Sequence, residues 1–293
     1  MEIKPESQVP QSPVETISAF VRELHTAVGQ KDMLRMAELV NEDVFVIGAA
    51  AGAISIGRDQ FVTDLRSQFD RVKQIQFYLQ SPEIQVGLCD SGRSAWFLDR
   101  FVVNIVEDQK VPRQIPIRLT GLLVCEQDWR LAAAYWSIPL RSNDYQYKLL
   151  QDGKIPAGVA LVEQVAPEAH ALAESIRKVT AESHNMPALY SMHEDAFTIG
   201  STVDEVFRAV EGKNWVQEIV NLPLKFAVRG GVRCAIAPDG QTAWMASHID
   251  LSGGLTVPYR FFYVWLREQD GWKIVLSHDA VSVDPVNPDF EIP

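Results

Sequence analysis

The sequence of 293 residues predicts an α+β protein made of two copies of one domain, each with three helices followed by a curved antiparallel sheet. An internal repeat predicts the two copies: residues 41–48 read NEDVFVIG, residues 193–200 read HEDAFTIG, and five of the eight positions agree. The α+β class follows from the order of patterns, because helical spacing precedes long apolar segments in both halves. A strongly curved sheet wrapped against helices encloses a cone-shaped space, which is a natural pocket.

The repeat extends well beyond this octapeptide. Trp96 and Trp244 each follow a turn and an alanine, and Arg118 and Arg260 each stand eight residues before a Glu-Gln-Asp segment. The repeat is therefore about 140 residues long, which is the size of one domain. It predicts a first domain at 13–141, a linker at 142–166 and a second domain at 167–284.

The first half begins with a helical pattern. Apolar residues at Ile17, Phe20, Val21 and Leu24 have helical spacing, and Gly29 is a stop signal. The octapeptide predicts a turn and a short strand, and the later segments rich in Val, Ile, Leu, Phe and Trp predict long antiparallel strands. The predicted helices are 13–29, 32–40 and 57–72, and the predicted long strands are 75–89, 94–106, 114–126 and 129–138.

The second half repeats this order. Its predicted helices are 167–183, 186–192 and 214–220, and its predicted strands are 223–237, 241–251, 257–269 and 272–283. The polar start of the chain and the Pro-rich tail DPVNPDFEIP are predicted to be irregular.

Composition argues against several classes of function. The formal net charge is −11 and no basic run occurs, which argues against binding to a nucleic-acid backbone. Cys89, Cys125 and Cys234 form no C-x-x-C pair, which argues against zinc and fits reduced thiols in a cytoplasm. The start lacks a secretory pattern, no apolar run reaches the ~18 residues of a membrane span, and no nucleotide motif occurs. We therefore expect a cytoplasmic protein without a cofactor and without nucleic-acid or membrane partners.

Both halves resemble a known family. The pattern Asp-x-Phe-x-Ile-Gly, the Ala-Trp pair after a turn, the arginine before the third long strand and the final DGWKIVLSHDA of the second half are similar to SnoaL-like domains of the nuclear transport factor 2 / ketosteroid isomerase superfamily. The resemblance implies a cone-shaped sheet in each half. It also implies an internal pseudo-dimer, because single-domain members commonly pair through their sheets and a linker makes that pairing intramolecular. A further homodimer stays open. The superfamily includes isomerases, dehydratases, cyclases, hydrolases and non-catalytic assembly domains, so the fold leaves the activity open.

Two arginines and a histidine are the first candidates for chemistry. Arg118 and Arg260 stand inside apolar strands, where a charge needs a partner. They either form a salt bridge with Asp43 or Asp195 in their own domain or bind an anion in the cone. His278, near the end of the last strand, is either a general acid or base or a structural histidine at an interface.

Five further residues complete the predicted site. Asp195 is either a carboxylate at the pocket mouth or a turn residue, and Glu205 is either a rim acid or a helix cap. Trp244, Phe262 and Tyr263 either line the cone or fill the core. In the predicted site His278 and Asp195 are catalytic, and Arg260, Trp244, Tyr263, Phe262 and Glu205 bind the ligand.

The sequence thus predicts a protein that binds a small apolar or anionic organic molecule in its second cone, with acid/base catalysis on it as an open option. The second cone is favoured over the first because residues 49–53 (AAAGA) and Tyr135 take the places of Glu205 and His278. The alternative is a non-catalytic scaffold that uses the fold for contacts with other proteins. No metal site is predicted, since His248 and Asp250 are too few ligands.

Overall fold

The computed structural model of the chain describes residues 12–71, 76–106 and 113–283. The predicted irregular tails therefore lie almost wholly outside the described residues. In the first domain the elements are α1 (Pro13–Gly29), α2 (Met33–Leu39), β1 (Val40–Ile47), β2 (Ile54–Ile56), α3 (Arg58–Arg71), β3 (Gln76–Leu88), β4 (Ser94–Val106), β5 (Arg113–Cys125) and β6 (Trp129–Ser137).

The start of α1 shows why the chain becomes helical there. The Ser12 side chain accepts a hydrogen bond from the Glu15 backbone, and the Glu15 carboxylate accepts one from the Ser12 backbone, at 3.2 and 2.8 Å. This capping box satisfies two amide groups that the helix leaves free, and Pro13 stands at the first helical position. The apolar face that follows packs on the concave side of the sheet.

The linker and the second domain carry the remaining elements. They are α4 (Asn143–Gln151), β7 (Gln164–Val165), a 3₁₀ helix (Pro167–Ala169), α5 (His170–Ala181), a second 3₁₀ helix (Ser183–Leu189), β8 (Phe197–Ile199), β9 (Val206–Arg208), α6 (Ala209–Asn221), β10 (Lys225–Val228), β11 (Arg233–Ile236), β12 (Thr242–Ser252), β13 (Thr256–Glu268) and β14 (Gly271–Val281).

Several of these elements differ from the prediction, including the unpredicted short strands β7 and β9. Two of the differences have a clear physical cause. The predicted linker contains a helix, α4, because Ser142 caps its start and Tyr145 and Leu149, one turn apart, are buried against the ends of the sheets. The predicted strand 223–237 is broken into β10 and β11 at Gly231. The returning linker passes so close that a Cβ on Gly231 would lie 2.2 Å from the backbone nitrogen of Glu163.

The two sheets have the same strand order. It is β2-β1-β6-β5-β4-β3 in the first domain and β9-β8-β14-β13-β12 in the second, where β10 and β11 both pair with β12 in place of β3. The long strands are antiparallel as predicted, but β1–β6 and β8–β14 are parallel pairs. The predicted α+β class with two curved sheets is confirmed.

Besides the small apolar cluster around α4, the described residues form three larger apolar cores. The first cone lies between α1–α3 and the first sheet, and the second cone lies between α5, α6 and the second sheet. The remaining core, which we call the interdomain face, is formed by the outer faces of both sheets packed against each other, as expected of an internal pseudo-dimer. Its large members include Phe45, Trp96, Leu98, Leu122, Tyr135, Phe197, Phe262, Val264 and Leu276.

Two buried arginines cross the interdomain face in opposite directions. Arg260 donates to the carbonyls of Gly48, Ala49 and Ala50 at 2.8, 2.7 and 3.0 Å. Arg118 donates to the carbonyls that follow the corresponding strand of the second domain, including Gly200 O at 2.8 Å. Gly48 and Gly200 are the last residues of the two repeated octapeptides, so each domain caps the same loop of the other.

Residues near the pseudo-twofold axis that relates the two domains also contact their equivalents in the other domain. Tyr135 and His278, which are six residues after Trp129 and Trp272, have ring centroids 4.4 Å apart. The hydroxyl of Thr242 donates to that of Ser94 at 2.9 Å, and each of these residues lies two positions before its domain's Ala-Trp tryptophan. Equivalent positions of the repeat therefore meet each other across the axis.

We expect Arg260→Leu to lower the free energy of unfolding by on the order of 3 kcal/mol, because three carbonyls at the domain boundary lose the charged donor that they share. Denaturant unfolding followed by circular dichroism measures this. Arg22→Leu, on the exposed face of α1, is the control and should change stability by less than about 0.5 kcal/mol. Equal effects of the two substitutions would contradict the interdomain role of Arg260.

Candidate functional site

His278 lies on the interdomain face and not in the second cone. Its Nδ1 is 2.8 Å from the hydroxyl of Thr120 and its Nε2 is 2.7 Å from that of Ser137, both in the first domain. Burial lowers the pKa of His278 well below its usual value, and the charges of Arg118 and Arg260 lower it further. A neutral imidazole donates from one nitrogen and accepts at the other, so two hydroxyls satisfy it. This position favours an interface role over the predicted catalytic one.

Arg260 and Phe262 also point to the interdomain face. Arg260 is fully buried, and its terminal nitrogens bond to first-domain carbonyls in place of the expected salt bridge with Asp195. Trp244 stacks on Phe45 across the face, with centroids 4.9 Å apart. These placements favour cohesion between the domains over ligand binding.

Asp195 and Glu205 lie in turns next to the same face. The backbone carbonyl of Asp195 accepts a hydrogen bond from Trp96 Nε1 at 2.7 Å. The carboxylate of Glu205 accepts one from the backbone of Thr202 at 2.9 Å and so holds the loop that Arg118 caps. Of the seven predicted site residues, Tyr263 is the one whose side chain faces the second cone.

The second cone contains a buried carboxyl group that the prediction did not include. Asp279 accepts a hydrogen bond from Ser277 at 3.0 Å, and the hydroxyl of Tyr190 donates to Ser277 at 3.2 Å. Strand alternation puts Ser277 and Asp279 on the cone side of β14 and His278 on the other side. Because of this alternation, the Ser-His-Asp run cannot act as one triad.

Three neutral donors accompany this chain of hydrogen bonds on the cone side. The hydroxyls of Tyr263 and Ser247 and the indole N–H of Trp265 are buried, and within the described residues they have no hydrogen-bond partner. Ser247 is paired with Phe261, and Phe261 with Asp279, so they form one row across three strands. We call Tyr190, Ser247, Tyr263, Ser277 and Asp279 the second-cone cluster.

Burial favours the uncharged form of the titratable groups in the second-cone cluster. It raises the pKa of Asp279 well above its usual range, against the lowering effect of the Ser277 hydrogen bond, and so favours the carboxylic acid over the carboxylate. Burial likewise raises the pKa of both Tyr190 and Tyr263. Each of these groups can donate a proton to a hydrogen bond. The cluster therefore suits an acceptor oxygen.

The first cone contains a different pair. Nε2 of His25, on α1, lies 2.9 Å from Oδ2 of Asp99, on β4, and both side chains are buried. This is an ion-pair distance, although the two groups are not aligned for a straight hydrogen bond. The His25 ring packs on Phe101 at 4.5 Å between centroids, and Phe101 meets Trp136 at 5.9 Å.

The two carboxyl groups occupy the same row of the repeated sheet. Asp99 is paired with Leu119 and Leu119 with Trp136 in the first domain. The equivalent row of the second domain is Ser247, Phe261 and Asp279. Within this row the carboxyl group is on β4 in the first domain, as Asp99, and on β14 in the second domain, as Asp279.

Sequence signals for these groups exist but are weak. Asp99 and Asp279 are acids within otherwise apolar strands, and His25 follows Leu24 on the apolar face of α1. Within the described residues no group of three or more His, Cys, Asp or Glu side chains could hold a metal ion, and no helix is long and apolar enough to cross a membrane.

Comparison with protein-family models matches residues 17–141 to a SnoaL-like domain. This match covers less than half of the chain. The second domain repeats the strand order of the first. A search of curated proteins finds no match.

Solved structures similar to this chain align with less than half of it. An NTF2-like protein from Rhodospirillum rubrum is 17% identical and covers 42% of this chain and 98% of its own, with a TM-score of 0.35. ActVI-ORFA from Streptomyces coelicolor is 15% identical and covers 43% and 96%, with a TM-score of 0.38. A ketosteroid isomerase-like protein from Erwinia carotovora atroseptica is 15% identical and covers 44% and 98%, with a TM-score of 0.37.

The neutral state of His278 predicts a pH-dependent stability. Its lowered pKa means that the unfolded chain takes up a proton below about pH 6.5 while the folded chain does not, so stability falls by up to about 1.4 kcal/mol per pH unit as the pH drops. His278→Asn removes this component. Unfolding by denaturant at about pH 7.5 and about pH 5 should show the stability gap between wild type and variant shrinking in acid. A gap independent of pH would contradict the assignment.

The raised pKa of Asp279 predicts the opposite pH dependence of stability. Because its pKa is raised, the unfolded chain ionises this group above about pH 4 while the folded chain keeps it protonated, so stability is lost as the pH rises. Asp279→Asn keeps the shape and cannot ionise. Its stability relative to wild type should therefore increase between about pH 4 and about pH 8 in the same unfolding measurements. Glu218→Gln, on the exposed face of α6, should leave the wild-type pH dependence unchanged.

Proposed function

We propose that this protein binds a small apolar organic molecule in its second cone and holds it by a carbonyl or enol oxygen. The observation that carries the proposal is the Asp279 carboxyl group, bonded to Ser277 inside the cone beside the buried, unpartnered hydroxyls of Tyr263 and Ser247. Buried polar groups are normally hydrogen-bonded, and an unsatisfied one costs about 1–3 kcal/mol. The hydroxyls of Tyr263 and Ser247 in one apolar cone are therefore suited to a ligand oxygen.

The walls of the second cone support an apolar ligand. Tyr259, Phe261, Tyr263 and Trp265 form a ladder of aromatic rings along β13, with neighbouring centroids 5.6 to 6.1 Å apart. Aromatic faces supply affinity by removing apolar surface from water, at roughly 25 cal/mol per Å². The donors of the cluster then fix the orientation of the oxygen.

The chemistry this arrangement supports is stabilisation of negative charge on oxygen. Uncharged donors in an enclosed apolar site strengthen their hydrogen bonds as charge develops on the acceptor, which favours an enolate over its ketone. Asp279 is the group in the cluster that can also give up a proton. The site therefore favours a ketone, an enol or a phenol over a molecule whose recognition needs a buried cation.

Binding of 2-naphthol and 2-tetralone, a phenol and a cyclic ketone of similar size, tests the proposal. Wild type should bind both, and Tyr263→Phe and Asp279→Leu should each weaken binding about tenfold, because each removes one hydrogen-bond donor worth about 1–1.5 kcal/mol. Isothermal titration calorimetry gives the dissociation constants.

His278→Asn is the matched control for this titration. It changes a polar group on the same strand that faces the first domain, so it should lower stability and leave both dissociation constants unchanged. Binding that is indifferent to Tyr263→Phe and Asp279→Leu, or no binding of either compound, would favour the scaffold alternative.

A further inference from the structure

We propose that the second domain carries an anion site beneath the interdomain linker, in which Arg260, His248 and Ser282 hold a small monovalent anion such as chloride or formate. The site lies on the side of the second sheet that faces the first domain, away from the second cone. The inference therefore goes beyond the proposed function, because it concerns another site, other residues and a charged ligand.

These three side chains meet where the linker crosses the second sheet. His248 is paired with Arg260 across β12 and β13. A Cβ on Gly158 of the linker would lie 3.4 Å from Oγ of Ser282 and 3.9 Å from Cε1 of His248, so the linker covers both side chains at contact distance. The amide of Val159 fixes the linker there by donating to a carbonyl of the first domain at 3.2 Å.

Each of the three side chains has polar atoms without a hydrogen-bond partner among the residues that the structure describes. These atoms are Nε of Arg260, both ring nitrogens of His248 and Oγ of Ser282. All three residues are buried, with at most 1% of their surface exposed. Because buried polar groups are normally hydrogen-bonded, this group of atoms indicates a site for a small polar ligand.

The charge balance favours an anion over a neutral ligand. The terminal nitrogens of Arg260 bond to the carbonyls of residues 48–50, which carry no net charge. The acid nearby in sequence, Asp250, lies two positions after His248 and is 3.2 Å from Nε of Arg229, so it balances a different guanidinium. A buried charge without a counter-charge is costly, and a bound anion provides the counter-charge for Arg260.

His248 couples anion binding to pH. Burial, together with the charges of Arg260 and Arg229, lowers the pKa of His248 to about 4, so its ring is neutral at pH 7. Residues 48–53 and 157–161, which pack against the site, add no charged side chain. An adjacent anion favours the imidazolium and raises this pKa. Binding therefore takes up a proton, and the affinity rises as the pH falls.

The internal repeat supports a role that is specific to the second domain. Arg100 takes the place of His248 in the first domain, four residues after the tryptophan of its Ala-Trp pair, and it is exposed. The linker returns across the second domain only, where the amide of Gly231 donates to the carbonyl of Leu161 at 2.7 Å. This cover buries the site and restricts it to small anions.

Titration of the full-length protein with sodium chloride and, separately, with sodium formate tests the site. Sodium gluconate, whose anion is too large for the covered site, keeps the ionic strength constant, and tryptophan fluorescence gives the melting temperature. Chloride and formate should each raise the melting temperature of wild type saturably, with a dissociation constant up to about tenfold lower at about pH 6 than at about pH 7. Stabilisation by one of the two salts alone also supports the site and identifies its anion.

Substitutions assign the effect to the proposed residues. His248→Gln should weaken binding about tenfold and remove its pH dependence, and Ser282→Ala should weaken binding severalfold while keeping the pH dependence. The control is His170→Gln, at an exposed histidine of α5, which should change neither quantity. Tyr263→Phe, in the second cone, should also change neither, so failure of this proposal and failure of the second-cone proposal are distinguishable.

A crystal soaked in sodium bromide gives a readout that does not depend on stability. The anomalous signal of bromide should show a peak within hydrogen-bond distance of Arg260, His248 or Ser282, and Ser282→Ala should weaken it. If His248→Gln does not fold, the Ser282→Ala titration and this crystal decide. Salt effects that do not saturate, equal binding in wild type and both variants, or bromide peaks only elsewhere on the protein would each overturn the proposal.

Discussion

The reciprocal capping of one domain by the arginine of the other is the interaction on which the rest of this structure depends. Each octapeptide strand ends in a loop whose carbonyl groups accept hydrogen bonds from the opposite domain. Arg118 and Arg260 donate these bonds, at the cost of burying two guanidinium groups, while backbone amides such as Ala53 N also reach some of the same carbonyls. Burial lowers the pKa of Arg118 to about 10, which leaves it charged at neutral pH. Neither loop is complete without its partner domain.

This constraint decides where a ligand can bind. The outer faces of both sheets are covered by each other, and His278 has protein partners there. The concave sides differ between the two domains in one row of the sheet, with an acid and a histidine in the first cone and a buried acid with hydroxyl groups in the second. The two copies of the fold therefore share one pattern of interdomain contacts but differ in the interiors of their cones.

The sequence predicted the architecture well, because the repeat and the apolar periodicity are local properties. Arg118 and Arg260 were also identified as buried charges that need partners, and the predicted alternatives lacked the one observed, carbonyl groups of the other domain. The sequence alone did not predict which face of each sheet lines the cone. Strand alternation separates His278 from Asp279, but only the packing of the sheets shows which of them faces the cone. His25 and Asp99 are 74 positions apart in the chain, and only tertiary packing brings helix and strand together.

Because both domains belong to one chain, residues that meet at the pseudo-twofold axis can differ between the domains. In a dimer of identical subunits, a residue on the twofold meets its own copy, and every mutation there occurs twice. Here Tyr135 meets His278, Ser94 meets Thr242, and Asp239 accepts from Ser91 at 3.2 Å. A carboxylate facing its own copy would repel it, whereas a carboxylate facing a serine is bonded. In a linked pair of domains, a residue at the axis does not have to be complementary to its own copy. The linker therefore allows pairings, such as a carboxylate with a serine, that a symmetric homodimer could not form.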